Sequence, residues 1–199
     1  MALEVTQHGG AAEEPPRAAF YFDFSSPEAY LAAERVIGVL GDRGLVAEWV
    51  PVRAPRDWWA FRCAKEEEIA RAAIERTAAQ RTLQAVRWPP VFDSELALRA
   101  ATYAKQIGRV VAFSLAAFRQ AYAGGHDLGE RDVVLIAASA CEMHPRAVLQ
   151  AIEREAVARE LDAATALAHQ RGIGDVPAVW FPDGRVVTGD AALGSVTAA

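Results

Sequence analysis

An α/β fold carrying a long all-helical insertion is predicted by three observations along the chain. An aromatic strand pattern, AAFYFDF at residues 18–24, runs into a helix start and then into a second strand pattern, VAEWVPV at 46–52. From about residue 57 to residue 170 only helical periodicity follows. Strand patterns then return as AVWF and RVVT around Pro182-Asp183-Gly184, a hairpin turn signal.

Each element has its own cause. AAFYFDF is short, aromatic and without helical period, which suits a strand. Ser25 and Ser26 offer capping hydroxyls, and Pro27 sits where a missing N–H costs nothing. One helix is expected from there, with apolar residues at Tyr30, Leu31, Val36, Ile37 and Leu40, ending at Gly41 and Gly44. Pro51 marks the second strand as an edge or a strand end. A strand, a helix and a returning strand imply a parallel pair. The insertion reads as helices over 59–86, 95–107, 111–123, 130–141 and 145–170, the last with a break. His144, before Pro145, reads as an N-cap. A short terminal helix is expected over 190–199.

Residues 1–17 read as a flexible leader, since they lack the charged start, apolar stretch and cleavage site of a secretory signal. A thioredoxin-sized α/β part over 18–56 and 171–199, with part of the 145–170 helix, would then enclose the 57–170 insertion. Of 199 residues, 52% are hydrophobic, enough for a core without staples, and the net charge of −5 disfavours nucleic acid and anionic membranes as partners. The expected setting is cytoplasmic, with no membrane partner. Neither Cys63 nor Cys141 belongs to a CxxC pair, so dithiol–disulfide exchange has no attacking and resolving pair. Cys141 reads as a core thiol and Cys63 as partly exposed. His8 and His169 have no partners of metal-ligand spacing, and no metal site is expected.

Two segments carry a resemblance. Ser26-Pro27-Glu28-Ala29-Tyr30 follows the aromatic strand, and Gly174-Asp175-Val176-Pro177 precedes the hairpin. This arrangement resembles the thioredoxin fold, and the helical insertion resembles its DsbA-type branch, whose first helix starts Cys-Pro-x-Cys-Tyr. Here Ser26 and Ala29 occupy the two cysteine places. The stretch FYFDFSSPEAYLAAERV, with WPPVFDSELALRAATYA and DLGERDVVLIAASA in the insertion, is similar to the 2-hydroxychromene-2-carboxylate isomerases and kappa-class glutathione transferases. The resemblance spans residues 20–193 or nearly so.

That resemblance implies that Ser26 contacts the glutathione sulfur, and that Val176 and Pro177, joined by a cis bond, pair with the glutathione peptide. It also implies an aspartate for the γ-glutamyl end. Asp190 stands one place early for this, and the arginine that normally follows is replaced in Gly189-Asp190-Ala191-Ala192-Leu193. Glutathione or another low-molecular-weight thiol is thus the expected cofactor, a small molecule the expected substrate, and a homodimer is common in these families.

The chemistry follows from the thiolate, the reactive form of a thiol whose free pKa is about 8.5. At a helix start the sulfur meets unpaired N–H groups and the positive end of the dipole. A hydroxyl donating to it adds roughly 1.5–3 kcal/mol, about one to two pKa units. Addition to an electron-poor double bond, rotation and expulsion of the thiol would isomerise an aromatic-derived electrophile; a transferase would stop after addition. The nucleophile-elbow glycines of a hydrolase serine are missing.

From spacing alone Ser26 reads as a plain N-cap before it reads as a site, with Ser25 and Glu28 able to make a capping box; the fold-level resemblance reverses that order. Trp58 and Trp59 read as walls of an aromatic pocket or as core anchors, with Ser25 a weaker pocket candidate. Tyr30 reads as core. Asp23 reads either as a buried partner for an arginine or as a neighbour tuning the site. The competing functional class is a non-catalytic thioredoxin-fold binding protein.

Overall fold

A computed structural model describes residues 16–55 and 57–194. Residues 1–15 of the expected leader and 195–199 of the expected tail helix lie outside them, and Arg17 is already the first residue of a strand. The elements run β1 (Arg17–Phe22), α1 (Pro27–Ala33), α2 (Val36–Gly41), β2 (Val46–Pro51), α3 (Ala64–Gln80), α4 (Glu95–Gln106), α5 (Val110–Tyr122), α6 (Arg131–Ser139), α7 (Pro145–Ile152), α8 (Glu155–Gln170), β3 (Ala178–Trp180), β4 (Val186–Thr188) and α9 (Asp190–Gly194).

The sheet order is β2-β1-β3-β4, with β1 parallel to β2 and the other pairs antiparallel. This is the DsbA-like thioredoxin fold. β1 is interior and covered on both faces, which explains its unbroken apolar run. Phe20 and Phe22 enter the main core with Trp49 of β2, while Ala19 and Tyr21 face a second cluster with Val50, Ala168, Ile173 and Ala178. Pro51 is tolerated because β2 is an edge.

The insertion does not form a core of its own. Phe24 packs at 4.8 Å and 6.3 Å, ring centre to ring centre, on Phe118 and Phe113 of α5, and Phe22 reaches Phe118 at 5.7 Å. A single apolar cluster runs from the sheet through α1 into α4, α5 and α6. Losing one such ring costs roughly 3–5 kcal/mol.

Several expected boundaries move, each for a visible reason. β1 stops at Phe22, not Phe24, because the Asp23 carboxylate captures the Ser25 N–H and turns the chain. The single first helix is two: at Arg35 the backbone leaves helical geometry (φ −134°) and its guanidinium reaches Asp190. The helix expected from residue 59 begins at Ala64, because Trp58 to Arg62 form turns. It ends at Gln80 with Thr82 left-handed and the Leu83 N–H bonded to the Ala78 carbonyl. The break expected in 145–170 falls between Ile152 and Glu155. Arg185 lies in the hairpin turn, where Gly184 (φ 86°) provides the left-handed residue.

Candidate active site

The site is assembled where α1 begins beside the turn into β3. Ser26 is the N-cap of α1, with extended backbone (φ −93°, ψ 113°) and Pro27 at the first helical position. Its hydroxyl oxygen accepts the Ala29 N–H at 3.2 Å, so Ser26, and not Ser25 with a Glu28 capping box, caps the helix. The Ser26 hydroxyl donates to the Val176 carbonyl at 3.2 Å, across 150 positions of sequence. Val176–Pro177 is cis, and the Pro177 carbonyl accepts the Gly189 N–H at 2.8 Å. Gly189 is left-handed (φ 84°), a geometry that glycine adopts at no steric cost.

Ser26, Val176 and Trp58 line one cavity of about 190 Å³. Phe61 closes it as a second ring, 5.0 Å from Trp58 and at 87° to it. Trp59 and Ser25 are not part of that lining. Trp59 instead packs on Trp58 and Trp88, and Ser25 gives its N–H to Asp23. A larger open groove of about 430 Å³ lies by α4 and shares no residue with Ser26. Its charges pair among themselves, Arg99 with Glu95 and Arg131 with Glu153.

Asp23 supports the site from below the loop. Its carboxylate accepts the Ser25 N–H at 2.9 Å and the Ala54 N–H at 2.7 Å, and Ser94 bonds it too. The partners are backbone groups and a hydroxyl, not the arginine that one reading expected. Burial pushes this carboxyl above its ordinary range despite those donors. Its backbone carbonyl takes the Ser26 N–H at 3.2 Å. The chain just after β1, the chain just after β2 and the start of α1 are thus tied together by one residue, through its carboxylate and its backbone carbonyl. Tyr122 adds a bond to the Phe24 carbonyl at 2.9 Å, and its hydroxyl is held far above the usual phenol range by burial. Tyr30 is core, stacked on Tyr122.

Asp190 departs from its expected use. Its buried carboxylate is bidentate to Arg81, at 2.8 Å and 2.5 Å, with Arg35 at 3.2 Å. A carboxylate facing two guanidiniums has little left for a ligand ammonium. Asp190 instead ties α9 to α2 and the end of α3, which holds neighbouring Gly189 on Pro177. No local signal links Arg81 to Asp190, 109 positions apart. Sequence reading also missed Asp57, Phe61, Glu66 and Asp175 in the cavity wall. Asp175 alone had a signal, as the variable place in Gly-x-Val-Pro.

Comparison with known proteins decides the family. A model described as a DSBA-like thioredoxin domain matches residues 18–197. The chain belongs to this DSBA-like family. Among solved structures, 2-hydroxychromene-2-carboxylate isomerase superposes with a TM-score of 0.78 at 18% identity, covering 90% of this chain and 91% of that one. The cytosolic disulfide reductase DsbM from Pseudomonas aeruginosa gives 0.60 at 18% identity, with 85% and 87% covered, and it has also been solved with glutathione. The oxidoreductase DsbA from Xylella fastidiosa gives 0.57 at 13% identity, with 90% and 81% covered. At these identities the likeness is one of fold. No curated protein matches by sequence.

At the two places that the resemblance equates with the redox cysteines, this chain has Ser26 and Ala29. The two cysteines, Cys63 (exposed) and Cys141 (buried), are free. Among the described residues no helix is long and apolar enough to cross a membrane, and no group of three or more His, Cys, Asp or Glu is placed to hold a metal.

Proposed function

We propose that this DSBA-like protein is a thiol-dependent isomerase or transferase in which Ser26 holds the thiolate, glutathione being the first thiol to test. The observation that carries the reading is the Ser26 hydroxyl directed at the Val176 carbonyl, beside a cis Val176–Pro177 bond and inside a cavity walled by Trp58. A hydroxyl whose present bond is a 3.2 Å contact to a neutral carbonyl gains by turning its proton to a sulfur anion, since charge-assisted bonds are the stronger ones. α1 has only seven residues, so the stabilisation rests on that hydroxyl and nearby N–H groups more than on a long dipole.

In this reading the bound thiolate adds its electron pair to the electron-poor carbon of an aromatic-derived double bond. The pair displaced onto the neighbouring electron-withdrawing group returns after rotation and expels the thiolate unchanged. A transferase keeps the new carbon–sulfur bond and protonates the adduct. Trp58 and Phe61 supply flat apolar walls for the electrophile. The reaction is set in the cytoplasm, where small thiols are kept reduced.

The test is a thermal-shift titration with glutathione, followed by turnover of a conjugated aromatic electrophile. Thiol at 100 times its dissociation constant should add about 2.7 kcal/mol of stability and raise Tm. A flat response at millimolar thiol overturns the reading. A second reading, a binding protein without catalysis, is favoured by the commitment of Asp190 to Arg81 and Arg35. It predicts a thermal shift with no turnover.

A further inference from the structure

We propose that the first half of α3, with the turns before it, is a lid that swings away from Ser26 to admit a thiol and an electrophile together, and that Arg71 on Trp88 is its latch. The proposal rests on the thiol reading above, which brings two molecules to one hydroxyl. A pocket for one drug-sized ligand measures about 300–1,000 Å³. The cavity at Ser26 measures about 190 Å³. A thiol and an aromatic electrophile do not fit there side by side, so one wall has to give.

The Ser26 side is fixed, since Ser26 and Val176 are buried and bonded to each other. The facing side is carried by residues 57–66, through Asp57, Trp58, Ala60, Phe61 and Glu66. α3, which continues from them, is held unevenly. Between residues 64 and 73 no side chain is buried, and Ile69 is 61% exposed. The ion pairs there, Arg62–Glu66, Lys65–Glu68 and Arg71–Glu67, join near neighbours within the segment. The second half is anchored. Ile74 and Ala78 enter the main core, and the Trp88 indole N–H donates to Glu75 at 2.6 Å. Arg81, just past the helix, reaches the Leu31 carbonyl and Asp190. Segments with little buried apolar surface open at low free energy. About 15 Å of helix precedes Ile74, so a tilt of about 15° on the anchored half moves its start by about 4 Å.

The lid rests on Trp88 through ring faces. Trp58 stacks on Trp88 at 5.6 Å, and the Arg71 guanidinium lies 4.8 Å from the centre of Trp88 and 5.5 Å from that of Trp59. Glu67, the ion-pair partner of Arg71, travels with the lid. Among the described residues, the Trp59 indole N–H and the Arg71 Nε–H are buried and have no hydrogen-bond partner. Opening lets water reach both groups, which offsets part of the cost of parting the rings. A latch of this kind holds without directed bonds that must first be broken.

Hydrogen exchange of the full chain tests the lid. Without ligand, the amides of residues 68–73 should exchange at least about tenfold faster than those of residues 75–80. Even protection along α3 overturns the lid and leaves the thiol site standing. Arg71→Met keeps the apolar stem and removes the cation, and should quicken residues 68–73 about fivefold with residues 75–80 unchanged. An equal change in both halves, or none, overturns Arg71 as the latch. Saturating glutathione with benzylideneacetone should slow residues 68–73 as the lid settles on both molecules. Unslowed exchange there, alongside a thermal shift that reports binding, overturns the lid. No thermal shift with glutathione overturns the thiol reading and the cargo named for the lid, while the contrast in the free chain still decides whether the wall moves.

Discussion

Ser26-Pro27 opens α1 and His144-Pro145 opens α7, and up to the first turn the two helix starts are built alike. Each cap residue is extended, at φ −93°, ψ 113° and at φ −68°, ψ 122°, and each side chain accepts a backbone N–H, from Ala29 and from Arg146. What differs is the surroundings. Ser26 is 3% exposed and faces the Val176 carbonyl; His144 is exposed, and the bond its ring makes lies within its own turn. A polar cap followed by proline is therefore a device for starting helices, worth about 1 kcal/mol. It becomes a candidate site only where a distant strand turn is brought against it.

The sharpest way to break this comparison is to remove what holds that turn in place while leaving both caps intact. Asp190→Ala strips the carboxylate from Arg81 and Arg35 and should cost about 3 kcal/mol, the low end for a broken buried pair because both arginines keep a quarter of their side chains in water. Urea unfolding measures the loss. Hydrogen exchange should quicken at the Gly189 N–H more than at the Arg146 N–H; equal changes would show that the clamp does not serve the Pro177 corner.

Next in size is Asp23→Asn, which leaves a single side-chain oxygen for the Ser25 and Ala54 N–H groups and should cost about 1–3 kcal/mol. It also carries a pH signature. Because the folded Asp23 carboxyl titrates above its unfolded value, the folded state holds the extra proton between the two. Its contribution is fully present below the ordinary carboxylate value and is lost as pH rises through the folded one. The Asp23→Asn variant should therefore lose stability less steeply across that interval, as followed by Tm against pH. An unchanged slope would remove Asp23 as its source.

The smallest stability effect separates the two caps most clearly. Ser26→Ala and His144→Ala should each cost about 1 kcal/mol or less in chemical denaturation. The bound-thiol pKa, read from thiolate absorbance, should rise by about one to two units in the Ser26 variant and stay put in the other. Equal behaviour of both variants would reduce Ser26 to a cap.

The same pair of helix starts shows what a one-dimensional reading can hold. Both caps, the parallel β1–β2 pair, the hairpin at Gly184 and the core role of Tyr30 were legible, because turn chemistry and periodicity act between near neighbours. The resemblance carried the meeting of Ser26 with Val176–Pro177, which no local rule predicts. The partners of Asp190 were not legible, because they come from the start of α2 and the end of α3 and nothing near residue 190 announces them. Trp58 joins the cavity wall and Trp59 does not, because residues 59–62, which periodicity assigned to a helix, lie outside one. The cavity carboxylates were invisible for a related reason: solvent-facing Asp and Glu look alike until a fold brings several of them to one cavity wall.

The rings of Phe22 and Phe24 against Phe113 and Phe118 bear on how this molecule could be dissected. An insertion is often pictured as a detachable cap, added to an older scaffold and free to be cut away. Here α5 is the wall on which α1, the helix that Ser26 caps, leans, so a minimal version lacking the bundle would expose a greasy aromatic flank and clump instead of dissolving. Any attempt to shrink or transplant the serine centre has to carry that buttress with it.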